Sequence, residues 1–160
     1  MAPLGCPGDT DQDGFADPED KCPAEPETKN GFEDTDGCPD ALPEAAKKFN
    51  GVIAGIEFDL SKDTIRTSSF KLLNQAAKLL QEYPFLRLQI TGHTDDTGAH
   101  DHNLELSLAR AESVKTYLVS QGVGEDRLQT RGAGPDEPLV KEKTRVARQK
   151  NRRIEFRVLQ

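Results

Sequence analysis

Apolar positions over residues 50–160 recur with two different periods, and together they predict one small α/β unit. Val52, Ala54, Ile56 and Phe58 alternate with their neighbours, which predicts a first strand. A polar loop over 59–67 leads to a helix capped by Ser68 or Ser69 and running to about Tyr83, with an apolar stripe of Leu72, Leu73, Ala76, Leu79 and Leu80. Pro84 closes it, because proline lacks the backbone donor a continuing helix needs. Leu86, Leu88 and Ile90 alternate in a second strand that ends near Gly92. Asn103 is placed to cap a second helix that runs through about Gln121 and stops at Gly122, with Leu106, Ala111, Val114, Tyr117 and Leu118 apolar. A third strand is expected around 128–131, a short helix over 144–150, and a last strand in which Ile154, Phe156 and Val158 share a face. The order β-α-β-α-β-β predicts an α/β fold of the α+β sandwich type. One mixed parallel/antiparallel sheet of about four strands packs against two main helices, and the last strand runs antiparallel beside the first.

Residues 1–45 interrupt this picture, having almost no periodic apolar pattern. They carry a net charge of −11 against +4 for 46–160, within a total of −7, and hold all three cysteines and 7 of the 10 prolines. The chain is therefore expected to divide into an acidic segment, 1–45, and a domain, 46–160. So acidic a segment repels nucleic acid, and no nucleic-acid partner is expected. No apolar run approaches the roughly 18 residues a membrane-crossing helix needs.

The acidic segment has its own order. Asp9, Asp11, Asp13, Asp17 and Asp20 fall at positions 1, 3, 5, 9 and 12 of a twelve-residue loop, with Gly14 at position 6, where the chain must turn. This is the arrangement of a calcium loop, in which Phe15 at position 7 offers its backbone carbonyl. Five carboxylates so close repel one another unless a hard cation lies among them. Asp20 departs from the usual glutamate at the last position, and no helix precedes Asp9, so a helix-loop-helix module is not expected. The alternative is a disordered acidic linker.

Cys6, Cys22 and Cys38 are each followed by proline and stand 16 residues apart, the mark of a repeat. The second unit is degenerate, with Glu25, Glu27, Asn30, Glu33, Asp34 and Asp36 as its oxygen donors. Three cysteines cannot all pair within one chain; a Cys22–Cys38 bridge is preferred, with Cys6 left over from a truncated preceding repeat. A zinc site is the other possibility, but no histidine lies near and the carboxylates suit a harder metal. The segment resembles thrombospondin type 3-like calcium repeats, well from Asp9 to Pro23 and more loosely from Asn30 to Pro39. That resemblance implies a coil of loops around calcium, acting as a spacer. A chain that starts inside a repeat is expected to be a piece of a longer protein.

The chemistry of the domain concentrates in Gly92-His93-Thr94-Asp95-Asp96-Thr97-Gly98, at the carboxyl end of the second strand, where α/β sheets expose their ligand sites. Arg110 lies two turns into the helix that returns beside it, so Asp95 and Arg110 can meet across one groove. Spacing leaves two readings open: the two pair with each other, or each faces a ligand group of opposite charge. A ligand with an ammonium and a carboxylate on one carbon uses both, the guanidinium clamping the carboxylate through parallel N–H bonds. Thr97 and Asn103 then help to fix its orientation.

These residues closely resemble the OmpA-like C-terminal domain, a peptidoglycan-associated module of Gram-negative envelopes. The resemblance spans roughly 50–160. It is carried by Ile56-Glu57-Phe58, residues 91–98, Asn103 through Val114, Arg131-Gly132-Ala133-Gly134 with Pro138, and Asn151-Arg152-Arg153-Ile154-Glu155-Phe156. It implies non-covalent binding of the peptidoglycan stem peptide through the free end of diaminopimelate, with the family's key aspartate at Asp95 and its key arginine at Arg110. Thr97 and Asn103 match the surrounding pocket. Asp96 stands where asparagine is frequent. Separately from the resemblance, the basic stretch 141–157 reads as a solvated charged face or as attraction to anionic wall polymer or stem-peptide carboxylates, with Arg152 or Arg153 near the groove. The resemblance implies a binder in the periplasm. The same module also follows a single membrane helix or a lipidated cysteine in other proteins; a parent with an outer-membrane β-barrel before the acidic repeats is preferred here. The alternatives are a cell-wall hydrolase, for which Asp95 and Asp96 are poorly spaced as a catalytic pair, and a purely structural spacer. A metal held by His93 and Asp95 is disfavoured, because the family gives His93 a structural role.

Overall fold

The computed structural model describes residues 8–29, 35–39 and 42–159 and separates the chain into two units, Met1–Pro43 and Glu44–Gln160. In the first, the described residues form neither helix nor strand, and short polar side chains hold the turns instead. Asp9 Oδ2 accepts from Gly14 N (3.2 Å), Asp11 Oδ1 from Asp13 N (3.3 Å) and Asp13 Oδ1 from Phe15 N (2.8 Å). Aspartates favour such local bonds over regular structure. Cys22 and Cys38 form the expected disulfide, with Cα atoms 5.0 Å apart across a separation of 16 residues. Closing a loop of that length contributes about 3 kcal/mol by restricting the unfolded chain. Cys6 lies outside the described residues, as do Asn30, Glu33 and Asp34 of the second repeat unit.

In the second unit the elements run α1 (Glu44–Lys47), β1 (Gly51–Val52), α2 (Phe70–Glu82), β2 (Arg87–His93), α3 (His100–Ser120), β3 (Leu128–Gly134), α4 (Arg145–Asn151) and β4 (Arg153–Leu159). The strands lie in the order β1-β4-β2-β3. β4 is antiparallel to both β1 and β2, whereas β3 pairs parallel with β2. This is the mixed four-stranded sheet expected from the sequence. The core is built from Leu88 and Ile90 of β2, Ile154 and Phe156 of β4, Leu73, Ala76 and Leu80 of α2, and Val114 and Leu118 of α3, all buried. Each fully buried leucine, isoleucine or phenylalanine contributes about 1.5–3 kcal/mol.

Three local expectations are corrected. The alternation from Val52 to Phe58 is not one strand: the ladder with β4 ends at Val52, followed by a single bond from Ile53 N to Ile154 O (3.0 Å), and it is Ile53 and Ile56, three residues apart, that enter the core. Ser69 does not cap α2, because its hydroxyl accepts from Glu57 N (2.7 Å), and a 3-10 turn, Thr67–Ser69, leads into the helix. α3 begins at His100, which places Asn103 inside its first turn. The short final helix does form, with the Thr144 side chain accepting from Ala147 N as a cap.

Arg127 closes the end of α2. Its Nη2 donates to the carbonyls of Leu80 (2.6 Å), Tyr83 (2.9 Å) and Leu86 (2.8 Å). Of these, Leu80 O is a last-turn carbonyl of α2 with no partner within the helix. Arg127→Ala is expected to destabilise the unit by about 2–3 kcal/mol. A urea midpoint that stays at the wild-type value would remove this role.

Candidate functional site

β2 leaves the sheet at His93, and the short loop that follows turns Asp95 back under the start of α3. The Asp95 side chain is buried, 9% exposed. Its Oδ1 accepts from Thr97 N (2.9 Å) and from Thr97 Oγ1, and its Oδ2 accepts from Arg152 Nη1 at 2.6 Å. Burial opposes the charge, but the donors on Thr97 and Arg152 outweigh it and hold the carboxyl below its ordinary pKa. Asn103 Nδ2 donates to Thr97 O (2.8 Å), tying the loop to the helix.

Arg110 reaches the same place from α3. Its Nε donates to the Lys62 carbonyl (3.0 Å), and its guanidinium lies 5.1 Å from the centre of the Phe58 ring, a cation–π contact. Both supports belong to one turn, closed by the Phe58–Ile65 bridge and by Asp59 N donating to Thr64 O. Among the described residues no carboxylate lies within ion-pair distance of Arg110. Its pKa is lowered, first by burial and then by Arg152, with Asp63 and Asp95 opposing from longer range. Two Nη groups of the guanidinium fork are thus not spent on an acid.

One cleft of ≈ 940 Å³ is lined by Phe58, Asp95, Thr97, Asn103, Arg110 and Arg152 among others. Every ligand residue expected from the sequence faces it, and Asp95 and Arg110 do not neutralise each other. A cationic fork and an ionised carboxylate beside one cavity can take a group that bears both charges. Phe58 and the Lys62 carbonyl were not anticipated as supports of Arg110. The only sequence signal was the Ile56-Glu57-Phe58 run, read there as strand.

Neighbouring charges are otherwise engaged. Asp96 Oδ1 accepts from Arg148 Nε (2.8 Å), and that bond leads in holding its pKa down. Arg153 is bound to Glu155 Oε1 (2.8 Å), so Arg152 is the arginine presented to Asp95. His93 is buried, and its pKa is lowered by burial first and by Arg153 second, which keeps it neutral.

In the acidic unit, carboxylate oxygens of Asp9, Asp11 and Asp13 lie within 4.8 Å of one another. Gly14, with φ of 103°, makes the turn before Phe15. Asp11 Oδ2 and Asp20 Oδ2 are buried without a hydrogen-bond partner among the described residues. Asp17 is held elsewhere: Oδ1 accepts from Thr10 N (2.9 Å) and Oδ2 from Thr10 Oγ1 (3.0 Å). Hard carboxylate oxygens left without donors fit a hard cation.

Comparison with known proteins adds the family. Outer membrane porin F of Pseudomonas aeruginosa is 34% identical over 151 residues, covering 94% of this chain and 41% of that protein. Peptidoglycan-binding protein ArfA of Mycobacterium bovis is 37% identical over 109 residues, covering 68% of this chain and 33% of that protein. The chain thus spans less than half the length of either relative. The crystal structure of the peptidoglycan-associated lipoprotein from Burkholderia pseudomallei is similar with a TM-score of 0.62 and 28% identity, over 65% of this chain and 88% of that one. Among the described residues no helix is long and apolar enough to cross a membrane. Residues 57–152, more than half of the chain and including Asp95, Arg110 and Arg152 of the cleft, match the OmpA family, and the chain belongs to it.

Proposed function

We propose that residues 44–160 bind peptidoglycan without catalysis, gripping the free end of diaminopimelate in the stem peptide. The observation that carries this is the half-buried Arg110 fork, unpaired with any acid among the described residues, in the same cleft as an ionised Asp95. Arg110 receives the ligand's carboxylate through two parallel N–H bonds, and Asp95 receives its ammonium at the oxygen Arg152 now shares. Thr97 and Asn103 keep Asp95 aimed, and the remaining N–H groups of Arg152 face a further carboxylate. Two relatives whose names describe peptidoglycan binding or association support the reading.

The acidic unit is assigned calcium, with Asp9, Asp11, Asp13 and Asp20 as side-chain donors and the Phe15 carbonyl beside them. When bound, the ion supplies the positive charge that lets these carboxylates approach. The parent protein is placed in the periplasm of a Gram-negative cell, held to the outer membrane by a β-barrel ahead of the spacer.

Calorimetric titration with a stem peptide containing diaminopimelate, against its lysine counterpart, tests the cleft. The lysine peptide lacks the side-chain carboxylate and leaves Arg110 unpaired. It is expected to bind roughly tenfold or more weakly, the loss of one charged hydrogen-bonded contact. Equal affinities would remove the two-charge reading. Incubation with purified sacculi should release no soluble muropeptides; their release would make the module a hydrolase.

A further inference from the structure

Three buried carboxylate oxygens in the acidic unit have no hydrogen-bond partner among the described residues: Asp11 Oδ2, Asp20 Oδ2 and Glu27 Oε1. Asp20 and Glu27 are only 7% and 9% exposed. An ionised oxygen so placed, without a donor or a cation, is strongly disfavoured. Glu27 touches the first loop through its backbone and the following repeat through its side chain. Its backbone N donates to Asp13 Oδ2 (2.9 Å), and its Oε2 accepts from Gly37 N (3.1 Å), which leaves Oε1 over. Asp20 approaches Gly37 as well: a Cβ there would stand 2.2 Å from Asp20 Oδ1. Glu27 and Asp20 therefore converge on one glycine. Asp17 has both oxygens on Thr10 and, unlike Asp13, whose two oxygens also accept, it stands outside the Asp9–Asp11–Asp13 cluster.

Resting on the calcium reading above, we propose that Glu27 is a ligand of the cation held by this unit and that Asp17 is not. The side-chain donors are then Asp9, Asp11, Asp13 and Asp20 of the first loop together with Glu27 of the following repeat. Glu27 brings what Asp20 lacks at the end of the loop, a longer carboxylate arm. The cation joins the first loop to the repeat that follows it, as the Cys22–Cys38 disulfide does. Asp17 acts as a clasp on Thr10, holding the loop closed from outside.

The test is calorimetric titration of the full chain, stripped of metal with a chelator, with calcium chloride. Glu27→Gln is expected to weaken calcium binding by at least the roughly tenfold that even an outer-shell partner's loss costs, and Asp17→Asn by less than about threefold. Glu27→Asp keeps the charge, shortens the reach and should fall between wild type and Glu27→Gln. A second readout is the rate at which dithiothreitol reduces Cys22–Cys38. Calcium should slow it in the wild type and leave it unchanged in Glu27→Gln, whose formed disulfide also shows that the unit has folded. Calcium affinity that survives Glu27→Gln, or falls equally in Asp17→Asn, overturns the ligand assignment alone. A wild-type chain that takes up no calcium overturns the calcium reading and this proposal with it.

Discussion

Arg110→Ala is expected to abolish co-sedimentation of the protein with sacculi while the second unit stays folded. The side chain is half-buried, donates once to the Lys62 carbonyl and rests on Phe58, yet meets no acid among the described residues. Truncating one member of a desolvated, hydrogen-bonded charge pair costs about 2–4 kcal/mol, roughly 30- to 1,000-fold in Kd. The fold loses only one surface-side hydrogen bond and one cation–π contact, so the thermal midpoint should fall by no more than a few degrees, for about 1 kcal/mol. Asp95→Asn should lose binding to a similar extent but at a higher cost in stability. An asparagine oxygen can still accept from Thr97, but the charge that holds Arg152 disappears. Sacculus binding by Arg110→Ala within threefold of wild type would show that the fork does not face the ligand.

That difference between two residues with one assigned task marks where the sequence stops being legible. Periodicity located α2, α3, β2 and β4, because these elements bury one face each and the burial is written into local spacing. It also placed Asp95 and Arg110 near each other, since a strand end and the helix that follows it are adjacent in any such unit. It could not find Arg152 on Asp95, 57 residues away, nor Lys62 and Phe58 under Arg110. Those contacts depend on how a turn and a strand entry fold across the cleft, and no local period encodes that. The stretch from Val52 to Phe58 misled for a related reason. Four alternating apolar residues satisfy a strand and equally a chain that dips into the core at Ile53 and Ile56 on its way past the cleft. In the acidic unit, spacing gave the loop positions, but the capture of Asp17 by Thr10 and the burial of Glu27 emerge only once the turns are folded.

Gly92→Ala should damage stability and binding together, because this residue sets the distance between the two halves of the site. β2 carries Asp95 at its exit and α3 carries Asn103 and Arg110. The helix lies so close to the strand that a Cβ at Gly92 would stand 2.0 Å from Ser107 O and 2.8 Å from its carbonyl carbon. Those are backbone atoms, so no rotamer change relieves the overlap. Ser107 is also fully buried and pinned, its Oγ donating to Leu104 O (2.8 Å) and accepting from Gly134 N (2.9 Å), which locks α3 to β3. One added methyl must therefore push the whole helix off the sheet. Overpacking of this kind costs about 1–3 kcal/mol and more where backbone must move, which corresponds to a drop of about 10 °C or more in the thermal midpoint. The displaced helix carries Arg110 away from Asp95, so whatever folded protein remains at low temperature should bind sacculi poorly. This separates Gly92→Ala from Arg110→Ala, which loses binding at nearly full stability. A Gly92→Ala variant that melts within about 2 °C of wild type, well under the roughly 1 kcal/mol that overpacking costs, would mean that the strand and helix have slack between them. The width of the cleft would then have to be set elsewhere.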